Sequence, residues 1–467
     1  MKLVIKALSF TLFGIMITAS PISAMGDEGD IAKQQKVSEK DASETPPSPF
    51  MAVDEVSRGD ERILDFLDER GWVRGQSNKN PAGGMLVVAS SSIPADPSSI
   101  SFSEARIIAT EEAFLKAMGE LVSQDAVDIG VSMSDKFMKD DLPEDVKNTS
   151  SLDALGRAVA GRAAQMTVSS LDAMLSELGV DPDTMPELSV AERKNLIYDE
   201  FVSNTTWQAM GKLSGVGIFG VIEEVGGDGP VNNGRVSVVV VKSDQFSEFG
   251  RQLRTGDVAP GQAMPLEAIR KRLEPQLREG EPMLGYFGVQ PVMDEQGRYG
   301  LLAFGTSGPQ LVRGSMEEFE ITAELESARE KAQMMADGWL AQFASLTVQG
   351  QKESTRRSIK QQVKETRGNG RSEIKTSEGI GRMVNNVLES EANARLQGIQ
   401  TVGKWNAVDP TTGHPYLGYV KYWSPATSAK AQGLTPDKDE SQDLSGSAEQ
   451  ESGTEESSRS TGSFGTW

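Results

Sequence analysis

Leu86-Val87-Val88-Ala89-Ser90 and, beyond a loop holding Pro94 and Pro97, Ser103-Glu104-Ala105-Arg106 decide how this chain folds. The first run is short, apolar and β-branched, which suits a strand. The second puts a serine at the expected N-cap of a helix. Ala105, Ala109, Ala113 and Ala117 then recur every fourth residue, with Phe114, Met118 and Leu121 beside them. Residues four apart share one face of a helix, so these alanines make a low stripe that lets the helix sit close to a sheet. The same order of features returns downstream. Leu301-Leu302-Ala303-Phe304-Gly305-Thr306 is a second strand-like run, and it leads to Glu326-Ser327-Ala328-Arg329 with Ala328, Ala332, Ala336 and Leu340 at the same spacing.

The flanking segments correspond as well. Leu213-Ser214-Gly215-Val216 and Leu396-Gln397-Gly398-Ile399 each open a β segment. Each passes a turn-rich stretch, Gly226-Gly227-Asp228-Gly229 or Asp409-Pro410-Thr411-Thr412-Gly413, and enters a second strand, Arg235 to Val241 or Tyr416 to Tyr422. Both read as hairpins. The expected fold is therefore α+β: two related modules, each with Ala-striped helices packed on a small, mainly antiparallel sheet, and disordered termini. Residues 1–24 read as a signal peptide and 25–53 as a disordered lead. The first module spans 54–250 with a helical insert over 134–212, the second spans 251–424, and 425–467 form a disordered acidic tail. Three further elements are expected. An amphipathic helix lies within 54–75, with Ile63, Leu64, Phe66 and Leu67 apolar and Gly71 ending it. A charged helix runs from Leu266 to Leu277, and a strand pair around Asp294-Glu295-Gln296-Gly297 joins the second sheet.

Of 467 residues, 37% are hydrophobic, enough for a sizeable core. The 47 Lys and Arg against 68 Asp and Glu leave a net charge of −21, so phosphates repel the chain as a whole and nucleic acid is not an expected partner. With no cysteine, disulfides, thiol catalysis, lipobox acylation and cysteine zinc sites are excluded. The start carries an address. Lys2 and Lys6 precede an apolar stretch from Ala7 to Ala19, followed by Ile22-Ser23-Ala24, which places signal cleavage after Ala24. That stretch is shorter than the ~20 residues a membrane span needs, so no integral membrane segment is expected after cleavage. Export without disulfides points to the periplasm or exterior of a Gram-negative bacterium. The sequons at Asn148 and Asn204 are then coincidental.

A short strand, a loop, and a serine–alanine–arginine helix start with alanines every fourth residue resembles a small α/β module of bacterial envelope proteins. The family is that of the LPP20-type lipoproteins and the amino-terminal domain of the flagellar assembly protein T. Ser103, Ala105, Arg106, Ala109 and Ala113 carry the likeness in the first copy, and Ser327, Ala328, Arg329, Ala332 and Ala336 in the second. The second copy has its serine directly beside the alanine. The stretch from Gly71-Trp72 through Glu112-Ala113-Phe114 also resembles uncharacterised exported bacterial proteins with this module. The resemblance implies a non-enzymatic envelope component and transfers no catalytic residue. The missing acylated cysteine separates this chain from the lipoproteins.

Chemical candidates are sparse. His414, in Thr412-Gly413-His414-Pro415, sits in a hairpin turn and cannot build a histidine cluster. Asp181 to Glu192 spaces its acids like a calcium loop but has Pro186 where that loop needs glycine, so a capped interhelical loop is expected. Gly215-Val216-Gly217-Ile218-Phe219-Gly220 fits a dinucleotide fingerprint only by letter. With extended, β-branched surroundings it reads as a bulged strand. Glu223-Glu224 and Glu317-Glu318 read as solvated surface acids. No catalytic residue, metal site or cofactor follows.

One asymmetry remains. Between Lys352 and Arg382, nine bases face four acids. Arg356, Arg357, Lys360, Lys364, Arg367 and Arg371 form a candidate patch for docking an acidic partner or the acidic tail. Phe464-Gly465-Thr466-Trp467 is a second candidate docking motif. The sequence thus predicts a non-catalytic exported protein, a structural or interaction component of an envelope assembly, with envelope proteins as partners and homo-oligomerisation left open. A periplasmic or secreted ligand-binding protein is the alternative, with an apolar pocket between the modules. A carboxylate-dependent hydrolase ranks third.

Overall fold

The computed structural model describes residues 58–138, 151–163, 165–181, 183, 188–225, 234–256, 263–311, 316–349, 396–431, 445–446 and 457–460. Ala24, the whole signal and lead, and all six residues of the basic patch lie outside these.

Strand and helix form where the spacing predicts them. In the first module α1 (Arg58–Asp68), β1 (Gly75–Gln76) and β2 (Met85–Ser92) precede α2 (Phe102–Met138). The insert contributes α3 (Leu152–Ala163), α4 (Val168–Glu177) and α5 (Val190–Gly211). The hairpin of β3 (Val216–Val225) and β4 (Arg235–Lys242) follows, then α6 (Asp244–Thr255). The second module has α7 (Leu266–Glu279), β5 (Gly288–Met293), β6 (Tyr299–Ser307), α8 (Glu318–Gln349), the hairpin of β7 (Gln400–Val408) and β8 (Pro415–Trp423), and α9 (Pro425–Ala431). Two short tail strands, β9 (Ser445–Gly446) and β10 (Ser457–Ser460), complete the described elements.

The sheets run β1-β2-β4-β3-β10 and β5-β6-β8-β7-β9, and every pairing among β1 to β8 is antiparallel. Each module thus lays its hairpin beside the strand before its long helix in the same order. The correspondence extends to irregularities. β3 has a register shift between Ile218 and Gly220, and β7 has one between Thr401 and Gly403. The expected bulge at the glycine-rich stretch is therefore present, and it is present twice. Gly215 and Gly398 both hold positive φ, and both lie against the backbone of the short helix that follows the hairpin. Two α+β modules of one topology make up the described chain.

The alanine stripes lie where close packing needs them. Ala109, Ala113, Ala117, Ala332 and Ala336 are fully buried, α2 covers β2 and β4, and α8 covers β6 and β8. A Cβ on Gly305 of β6 would fall 1.9 Å from the Ala332 carbonyl oxygen, so backbone meets backbone there. Covered sheets explain why β4 reads Arg-Val-Ser-Val-Val-Val-Val-Lys and β6 is buried along its whole length. One apolar cluster runs from Ile63 through both sheets to Trp423, and a second fills the space between α7 and the outer face of the second sheet.

Several expectations need correction. Neither serine caps its helix: α2 begins at Phe102, so Ser103 sits in its first turn, and α8 begins at Glu318, leaving Ser327 well inside. The boundary at 250/251 cuts α6, a single helix that ends only at Gly256 with φ 69°. The second module does not stop at 424, because α9 buries Pro425, Thr427, Ser428 and Ala429. Within the tail, β9 and β10 pair with β7 and β3. α1 closes at Asp68, and its Leu64 faces solvent.

Half-buried on α2, Glu111 has its carboxyl pushed up to about 7 by desolvation. Folding then favours its neutral form, so this group's contribution is full below its unfolded pKa and falls as pH rises from about 4.5 to about 7. E111Q should match the parent at pH 4.5 and exceed it by about 1–3 kcal/mol at pH 8. Urea melts at the two pH values check this; equal gains at both would refute it.

Candidate functional site at the seam between the modules

Polar groups with an identifiable task gather where the modules meet. Arg106, one turn into α2, donates from Nε to Glu223 Oε1 of β3 at 2.7 Å and from Nη2 to the Leu284 carbonyl at 2.7 Å. Leu284 belongs to a 3-10 turn, Glu281–Gly285, that leads into β5. The guanidinium carbon also stands 5.1 Å from the centre of the Tyr416 ring on β8. One side chain thus joins two elements of the first module to two of the second. Burial would strip its charge, but Glu223, Tyr416 and Asp409 raise the Arg106 pKa overall and hold it protonated. Both side chains are almost wholly enclosed, at 6% and 1% exposure.

His414 makes a second link. Its Nε2 lies 2.8 Å from the Pro97 carbonyl oxygen, and its ring stacks on Phe102 at 5.6 Å and 23°. Buried Asp409 shapes the turn that presents it. The Asp409 N–H donates to the His414 carbonyl, its own carbonyl accepts from Gly413, and its Oδ1 accepts from Thr411 and Thr412 N–H groups. H414A should lower stability by about 1–2 kcal/mol, the loss of one hydrogen bond and one ring contact. Thermal unfolding measures it, and an unchanged Tm would contradict the link.

Apolar pairs complete the seam. Phe249 of α6 stacks on Tyr299 of β6 at 3.8 Å and 4°, and Phe114 of α2 meets Trp339 of α8 edge-on at 5.4 Å. Gly217 leaves room for Pro291, since a Cβ there would fall 2.5 Å from the proline Cδ.

This arrangement can hold two modules together. Glu223, expected on the surface, is buried and ion-paired, whereas Glu224 is partly exposed and lies 3.6 Å from Arg62. Glu317 and Glu318 are exposed as expected. Glu192 forms a capping box with Ser189 at the start of α5, in line with a capped loop; Pro182 and residues 184–187 lie outside the described residues. Asn204 is buried and donates to the Leu178 carbonyl; Asn148 lies outside the described residues. Among the described residues, no group of three His, Asp or Glu side chains is placed to hold a metal ion, and no helix is long and apolar enough to cross a membrane.

Sequence reasoning picked out Arg106 as a motif residue and missed its partner. If Gly220 and Gly403 mark the same bulge, Glu223 corresponds to Asn406, so only the first copy offers a carboxylate there. Arg329, the counterpart of Arg106, is half-buried on α8.

A family described as a domain of unknown function (DUF6844) matches residues 156–255, from within α3 to the end of α6. No curated protein matches the chain. The crystal structure of a hypothetical protein from Francisella tularensis is similar at 17% identity and a TM-score of 0.48, covering 81% of this chain and 94% of that one.

Proposed function

We propose that this chain is a non-catalytic, exported component of a bacterial envelope assembly, acting through contacts with partner proteins. The carrying observation is the filled seam. Arg106, Glu223, Tyr416, His414 and Phe102 occupy the ground between the modules, where a ligand-binding protein would hold its pocket. A continuous core and a buried ion pair make the two modules one stiff body, which suits a spacer or platform. α8 offers that body a contact surface: Phe319 and Met334 are 68% and 72% exposed on it. The signal-like start supplies the address, and the likeness of each module to envelope lipoprotein domains supports the setting.

Fractionation of cells carrying the native gene tests the reading. Expected is a chain beginning at Met25, found in the envelope or periplasmic fraction and cross-linked to another envelope protein. F319E/M334E should weaken that cross-link while leaving the melting temperature within about 2 °C, because surface changes of this kind rarely alter stability much. A chain retained in the cytoplasm with residues 1–24 intact, or exported but always recovered alone, would overturn it.

A further inference from the structure

β2 and β6 hold the same place in their modules, each leading to its long helix, but their outer edges differ. In the second module β5 pairs with β6 over six residues, from Gly288↔Phe304 to Met293↔Tyr299. In the first, β1 pairs with β2 over only two, Gly75↔Leu86 and Gln76↔Met85. The Ile93 N–H donates to the Gly234 carbonyl in line with the β2–β4 register, so the odd-numbered residues of β2 bond to β4. The N–H and C=O groups of Val88, Ser90 and Ser92 therefore point to the other edge, where no strand lies among the described residues. Val87 to Ser92 reads Val-Val-Ala-Ser-Ser-Ser, with none of the charges or prolines that protect an edge strand.

We propose that this edge pairs antiparallel with the β2 edge of a second copy, joining the two first-module sheets about a twofold axis at Ser90. Val88 then faces Ser92 of the other copy and Ser90 faces Ser90, which gives about six backbone hydrogen bonds between small, uncharged residues. The helices above agree with this pairing. Because α2 lies over both β2 and β4 and strands are about 4.8 Å apart, the two α2 axes run about 10 Å apart, a distance at which helices pack. The side of α2 toward this edge has room for a neighbour. Phe114 points the opposite way, to Trp339 of α8. On the edge side Glu112 is exposed, and Ile108, four residues earlier on the same stripe, is 49% exposed. Ser91 Oγ donates to Glu112 Oε2 at 2.5 Å and accepts from Lys116 Nζ at 3.4 Å, so the two charges flank Ser91 along the helix. Ser91 adjoins the axis and the two helices run antiparallel. Glu112 of each copy therefore comes opposite Lys116 of the other, and the surface complements itself as a twofold contact requires.

Sedimentation of the full chain should show a species of twice the monomer mass as concentration rises from low to high micromolar. Over the same range, amide exchange at Val88, Ser90 and Ser92 should slow at least tenfold. S90P removes a donor that β4 does not use, so the monomer should still fold while pairing weakens at least tenfold. S92P does the same and leaves the bond between the Ser90 and Ser237 hydroxyls intact, which separates loss of pairing from loss of that bond. E112K and K116E should each weaken the pair by setting like charges opposite each other. An equimolar mixture of the two variants should restore it, because each then offers the other the opposite charge. A chain that keeps the monomer mass at every concentration overturns the proposal. A doubled mass that survives both prolines, or a mixture that pairs no better than either charge variant alone, overturns it as well.

Discussion

R106M is expected to destabilise the fold by about 3–5 kcal/mol, the usual cost of leaving one member of a buried ion pair without its partner. The methionine fills most of the arginine stem, so little of the loss is cavity. Glu223 would remain almost fully enclosed without the guanidinium beside it, and the Leu284 carbonyl would lose that donor. R106K keeps the charge but cannot serve Glu223 and Leu284 together from its single nitrogen with the same geometry, so an intermediate loss is expected. The diagnostic variant is R106M/E223L, which removes both charges at similar volume and should regain most of the stability. Urea unfolding of the three proteins decides the matter. If the double variant is no better than R106M, loss of the ion pair is not the cause and the seam depends on the guanidinium itself.

The second large effect concerns the paired glycines. Gly215→Ala and Gly398→Ala should each cost about 2–5 kcal/mol. A left-handed backbone at a residue with a side chain costs about 1–2 kcal/mol, and overpacking adds about 1–3 kcal/mol. At Gly215 a new Cβ would lie 2.0 Å from the Ser247 nitrogen, and at Gly398 it would lie 2.6 Å from the Ser428 nitrogen. Both obstacles are backbone, which cannot swing aside as a side chain could. Gly297→Ala is the control: it has φ 74°, but nothing lies within 4 Å of the new atom, so only the conformational cost of about 1–2 kcal/mol remains. Equal losses at all three positions would show that close approach of the helix contributes nothing.

The pair of similar modules was legible because it is written in local signals. Alanines every fourth residue, apolar runs of strand length and glycine-rich turns each report on their own neighbourhood, and their order repeats. Helix starts were less legible. The serine at each motif resembles a cap, but in the structure α8 extends past Ser327 to Glu318 because nothing between them breaks a helix: Glu, Ala, Ile, Leu and Thr continue it. Glu223 was misplaced for a related reason. Two glutamates in a row look solvated, yet on a strand they point to opposite faces, and one of them met a buried arginine. The seam had no sequence signature, since Arg106, Glu223, Leu284 and Tyr416 are brought together from across the chain.

What the sequence determined by itself is the pair of modules, their alanine-faced helices and their hairpins, since periodicity specifies an element and the face it buries. What only the tertiary structure decided is how the modules are joined and which polar residues do it. A contact between distant residues depends on where whole elements pack, and His414 shows the difference plainly: in the sequence it is a turn residue with no partner, and in the fold it stacks on Phe102 and ties the second hairpin to the loop at Pro97.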